Sequence, residues 1–96
     1  MMAKSPLLER LREAIRVRHY SIRTERSYVQ WVKRFILFHN KRHPAEMGTD
    51  EIAAYLSHLA VARNVSASTQ NQALNAINFF YRNILDRDMG MLQGVV

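Results

Sequence analysis

The chain has no cysteine among its 96 residues. Disulfides and thiolate metal sites are therefore excluded, and a reducing compartment is the natural fit. Its three glycines are scattered, so no glycine-rich phosphate loop is present. No stretch nears the ~20 apolar residues of a membrane span, and the start lacks the apolar run of a signal peptide. The expected location is the cytoplasm. There is no strand-like alternation, no internal repeat and no low-complexity tract. Acidic residues are scarce where basic ones are dense: residues 1–48 hold eleven Lys/Arg against four Asp/Glu, a balance of +7. Residues 49–96 hold three against four, a balance of −1.

What is present is enough apolar material for one small core, 48% of residues, on a chain of formal charge +6. A basic excess kept to one half points to an anionic partner. The apolar residues recur at helical spacing in four segments. Leu7, Leu8, Leu11 and Ile15 mark a first helix over 6–17, with Pro6 at its start and the pairs Glu9/Arg12 and Glu13/Arg16 outside. Ser21 caps a second helix over 22–42, with Glu25 near its positive end and Pro44 ending it. Tyr28, Trp31, Val32, Phe35, Phe38 and His39 form its broad core face. A third helix over 50–62 follows Gly48-Thr49 and carries Ile52, Tyr55, Leu56 and Leu59. Ser66 caps a fourth over 67–85, with Ala73, Ile77, Phe80, Tyr81 and Ile84 inward and Asp86–Gly90 closing it. The expected architecture is an all-α bundle of four helices in one domain over 1–96, the terminal MLQGVV having no pattern of its own.

Two polar faces carry the functional signal. Helix 2 presents Arg23, Arg26, Gln30, Lys33 and Arg34 on one side, with Thr24 beside them. Glu25 is the only local counter-charge, so the face is not a salt-bridge lattice, and phosphate contact is the expected use. Helix 4 carries Ser68, Thr69, Gln70, Asn71, Gln72, Asn75 and Asn78 where Glu and Lys would make a better helix. Asn and Gln combine a donor with an acceptor, as an adenine edge requires, and Ser/Thr can bond phosphates or bases. Leu37 and Phe79 fall on the polar sides and are left without a role by the periodicity.

His39 and His43 stand four apart, but no third ligand is apparent, so no metal or cofactor is expected. No Ser/His/Asp arrangement, carboxylate cluster or activated tyrosine is visible, so no catalytic residue is assigned. A helical protein-binding module anchored on Leu37 and Phe79, and a non-specific basic nucleic-acid binder, are the alternatives.

Several separated blocks resemble the N-terminal segment of integron integrases, which are tyrosine recombinases. They are Arg18–Glu25 (RHYSIRTE), Tyr28–Trp31 (YVQW), Arg34–His39 (RFILFH), Lys41–Pro44 (KRHP), Ser68–Ala76 (STQNQALNA) and Phe80–Arg82 (FYR). The resemblance spans about residues 5–88. It implies a four-helix, SAM-like core-binding domain forming half of a clamp around a recombination half-site, with the second and fourth helices facing double-stranded DNA. It also implies a separate catalytic domain, whose residues have no counterpart here, and further protomers on the DNA. On this reading the chain stops where an interdomain linker begins. Arg23, Arg26, Lys33 and Arg34 neutralise phosphates, Thr24, Ser68, Thr69, Asn71, Gln72 and Asn75 lie near the groove, and Gln30 of the second helix is a further DNA-binding residue.

Overall fold

The computed structural model describes residues 6–87. Four helices make up its architecture: α1 Pro6–Val17, α2 Ile22–Phe38, α3 Thr49–Val61 and α4 Ala67–Asn83, with a 3₁₀ turn at Pro44–Glu46. No strand occurs among the described residues. Ser5, Asp88–Gly90 and the MLQGVV tail lie outside them. The helices begin as local chemistry dictates. Ser21 and Ser66 each accept the backbone N–H of the residue three ahead, Thr24 and Thr69, at 3.1 Å. Glu51 accepts the Gly48 N–H at 2.7 Å, closing the start of α3.

The bundle is organised around α2, which packs on all three other helices and most extensively on α4. Leu11 and Ile15 of α1, Val29, Val32 and Phe35 of α2, Ile52 and Leu56 of α3, and Ile77 and Phe80 of α4 are buried in one core. Phe35 is its junction. It meets Tyr55 of α3 at 5.8 Å and Tyr81 of α4 at 6.3 Å between ring centroids, both edge-on, the favoured aromatic arrangement.

The ends of two helices depart from the periodic reading. Helix α2 stops at Phe38 rather than at Arg42. Asn40 and Lys41 take φ of 61° and 62°, and the Lys41 N–H returns to the Ile36 carbonyl at 2.9 Å. This left-handed turn satisfies the carbonyls at the end of α2 and sends the chain back across the bundle. There Pro44 is buried, and its carbonyl accepts the Tyr81 hydroxyl at 2.7 Å. Helix α4 ends at Asn83 rather than at Leu85. Asp86 takes φ of 55°, and Arg87 then donates to the Met47 carbonyl at 2.8 Å. A long-range tie thus ends each helix before its apolar pattern does.

The expected core face of α2 is also shifted. Val29 is buried, Trp31 is half-buried and Phe38 is 37% exposed. The reason is that α1 covers α2 on the Glu25–Val29 flank, so the buried stripe lies on that side. Glu25 is itself buried at 5% exposure and takes a two-pronged hydrogen bond from Arg16, at 2.8 and 3.0 Å. Arg16 therefore bridges α1 to α2 instead of pairing with Glu13. Glu9 and Arg12 do pair, at 2.8 Å.

Two pH flanks follow. The Arg16 guanidinium holds Glu25 below the ordinary carboxylate value of 4.5, with burial opposing. The unfolded chain therefore takes up this proton first on acidification. Stability from the pair is full above about pH 4.5 and falls below it. Glu25→Gln should flatten that acid decline in a series of thermal melts. Burial pushes Tyr81 up to about 12 from 10.0, so its contribution is complete below pH 10 and is lost as pH rises toward 12. Tyr81→Phe should lower stability at neutral pH by about 0.5–1.5 kcal/mol in urea titrations, because one buried hydrogen bond is lost while the Pro44 carbonyl keeps the Met47 N–H at 3.0 Å. It should also reduce the alkaline slope without abolishing it, since burial raises Tyr28 and Tyr55 as well.

Candidate nucleic-acid interface

The burial of one side of α2 dictates what the other side presents. Arg23, Arg26, Gln30, Lys33 and Arg34 are all exposed. None of the four cations is in an ion pair with a described residue. Glu25, the one acid of α2, faces inward and is held by Arg16. The outward arc of α2 is thus cationic without compensation, and Arg34 lies over the Trp31 ring at 5.5 Å. Thr24 is half-buried, and its hydroxyl accepts from Ser21 at 3.1 Å, so it belongs first to the helix cap.

On α4 the structure divides the polar run in two. Ser68, Asn71, Gln72 and Asn75 are exposed on one arc. Gln70 is buried at 5% exposure, and its amide donates to the Leu56 carbonyl of α3 at 3.0 Å. It is a strut between α3 and α4 and leaves the candidate face. Thr69 repeats the role of Thr24, accepting from Ser66 at 3.1 Å. Asn78 is half-buried, and its Oδ1 is enclosed with no described partner. The amide face is therefore Ser68, Asn71, Gln72 and Asn75.

The two faces meet at a seam. Phe79 stands one helical turn beyond Asn75 on α4 and packs edge-on against Tyr28 of α2, with centroids 5.4 Å apart. Phe79 is thus half-buried by a neighbour within the domain. Leu37, by contrast, stays 48% exposed. It lines a shallow groove between the C-terminal halves of α2 and α3, together with Trp31, Arg34, Phe38, His58 and Arg63. Arg63 was not among the residues expected from the sequence. A single arginine where a helix fades carries no periodic signal, and only the packing of α3 on α2 places it on the same groove as Arg34. No group of three or more metal-ligating side chains occurs among the described residues, and none of their helices is long and apolar enough to cross a membrane.

An all-α bundle joins a cationic helix to a helix whose first half exposes neutral amides and whose last turn exposes Arg82. Residues 7–91 match the family described as phage integrase, N-terminal SAM-like domain, and the chain belongs to it. It is 53% identical over 89 residues to proteins described as integrase/recombinase from Escherichia coli and from Pseudomonas aeruginosa, covering 93% of this chain and 26% of each relative. It is 30% identical over 87 residues to the putative integrase/recombinase y4qK of Sinorhizobium fredii, covering 91% of this chain and 28% of that protein. The chain thus spans about a quarter of the length of the relatives it matches.

The division of α4 is open to a direct check. Gln70→Ala should cost about 1–2 kcal/mol of folding stability, the range for a buried amide hydrogen bond. Asn71→Ala and Asn75→Ala, both on the surface, should each stay within about 0.5 kcal/mol of the parent. Denaturant titrations of the three variants measure both values.

Proposed function

We propose that this domain grips duplex DNA as one half of the clamp of a site-specific tyrosine recombinase of integron-integrase type, with strand cleavage left to a separate catalytic domain. One observation carries the reading: the outward arc of α2 holds four exposed cations with no acidic partner among the described residues, in a chain of the phage integrase N-terminal family. Arginines and lysines exposed on one helix suit a polyanionic backbone, and each phosphate they neutralise releases condensed counterions. Arg23, Arg26, Lys33 and Arg34 would supply that grip, and Gln30 adds a neutral donor among them.

The amide arc of α4 complements this. Ser68, Asn71, Gln72 and Asn75 bring donors and acceptors without charge, suited to base edges or to the non-ionic fixing of position. The relatives' description as integrase/recombinase supports the same reading. The full-length protein would add its catalytic domain and further protomers on the DNA, in the cytoplasm. A protein-docking module anchored on Leu37 and Phe79 is the weaker reading, since Phe79 is already packed against Tyr28 within the domain.

Titration against an integron recombination-site duplex and a scrambled duplex, at several salt concentrations, tests the proposal. With four to six phosphates neutralised, log K should fall against log salt with a slope of roughly −4 to −5, and Arg26→Ala with Lys33→Ala should flatten it. Asn71→Ala with Asn75→Ala should weaken the recombination-site complex by about 1–3 kcal/mol more than the scrambled one, with the slope nearly unchanged. Binding indifferent to salt would overturn the assignment of the α2 face, and equal losses on both duplexes would reduce the α4 face to backbone positioning.

A further inference from the structure

The turn between α1 and α2 is locally strained and heavily tied. His19 sits at φ 60°, in the left-handed region that a residue with a Cβ occupies at a cost. The turn is closed by the His19 N–H to the Arg16 carbonyl at 2.9 Å and the Tyr20 N–H to the Ile15 carbonyl at 3.3 Å. Its consequence is to bring the Tyr20 ring onto Phe79 of α4, with centroids 5.9 Å apart and planes inclined at 51°. Tyr28 approaches the same Phe79 from α2. Arg18 covers Phe79 at 5.3 Å and is itself fixed by the Asn83 Oδ1 at 2.8 Å and the Ala14 carbonyl at 2.9 Å. Asn83 in turn donates to the Phe79 carbonyl at 3.0 Å.

Three rings and an anchored guanidinium therefore hold two phenols at the seam of α2 and α4. Tyr20 is 45% exposed and Tyr28 half-buried, and neither hydroxyl has a hydrogen-bond partner among the described residues. Burial raises the Tyr28 phenol above its ordinary value of 10.0, further from the neutral range in which a phenol is already an O–H donor. The seam lies in register with the amide face: Phe79 is four residues beyond Asn75 and seven beyond Gln72 on α4, and Tyr28 is four beyond Thr24 on α2. Arg23 is exposed in the first turn of α2, leaving the neighbourhood cationic.

We propose that Tyr20 and Tyr28 form a neutral phosphate clamp, their two hydroxyls donating to one backbone phosphate of bound duplex DNA. The inference rests on the DNA-gripping reading above. Two O–H donors on rings that both pack against Phe79 suit an anion with several acceptor oxygens. A base edge, which alternates donors and acceptors, is matched better by the amides of α4. Because the rings are fixed before binding, little side-chain freedom is lost on contact. Because the phenols are uncharged, they strengthen binding without adding to the release of counterions.

Tyr20→Phe and Tyr28→Phe, singly and together, keep the rings on Phe79 and remove only the hydroxyls. Fluorescence anisotropy with the integron recombination-site duplex and the scrambled duplex should show Kd rising about tenfold for the double variant on both DNAs, the value for two modest hydrogen bonds, with the salt slope unchanged. Wild-type binding with an unaltered affinity in the double variant would overturn the clamp while leaving the α2 grip standing. A loss confined to the recombination-site duplex would also overturn it, since that marks a base contact. Failure of the wild type to bind either duplex would overturn both readings together. A measurement on the wild type guards against variants that fold poorly: the ring resonances of Tyr20 and Tyr28 should shift on adding either duplex, and resonances that stay in place would sink the clamp.

Discussion

The burial of one side of α2 is the constraint on which the rest depends. Three helices converge on it, and Phe35 is the point where the rings of α3 and α4 close in. A helix covered on three flanks has only one arc left for solvent. All of its charge must go there, except Glu25, which is buried and held by the Arg16 guanidinium. Burying that carboxylate has a double effect. It ties α1 to α2, and it removes the one acid that would have offset the cations on the outward arc. A structural ion pair on one side of the helix thus leaves the other side free to act on an anion.

Helix α4 solves a different problem with a similar economy of elements. Its Asn and Ser residues weaken the helix locally, because their side chains compete for backbone hydrogen bonds. The helix is held by what surrounds that weakness: Ile77, Phe80 and Tyr81 in the core, the Tyr81 hydroxyl on Pro44, and Gln70 on α3. Tertiary ties thereby release the outward arc from the need for strong helix formers. The proposed division of labour, charge on α2 and neutral recognition on α4, rests on this physical arrangement. The Phe79 cluster ties the start of α2 to α4, where the two faces adjoin.

Much of this was legible in the sequence because the governing effects are local. Helical periodicity, the serine caps and the exposure of Arg23, Arg26, Lys33 and Arg34 depend on neighbours within a turn or two, and they appear in the pattern. Thr24 and Thr69 are taken up by their own helix caps, and most of the other misreadings trace to a long-range partner. Arg16 is one turn from Glu13 but bonds Glu25. Gln70 looks like its polar neighbours but reaches Leu56 of α3. Phe79 reads as an exposed anomaly until Tyr20 and Tyr28 close over it. The ends of α2 and α4 are set where Asn40, Lys41 and Asp86 turn left-handed, so that Pro44 and Arg87 can make contacts far away in the chain.

The sequence by itself determined the class: four amphipathic helices, a basic first half and a polar, uncharged start to the last helix, all written in spacing and composition. Tertiary structure alone decided which flank of α2 is covered, which of the amides stay outside, and that Arg63 joins Arg34 while Tyr20 joins Tyr28. Periodicity records only how residues are arranged around their own helix. The pairing of one helix face with another is set by how side chains from distant segments fill the same space, and no single segment carries that information.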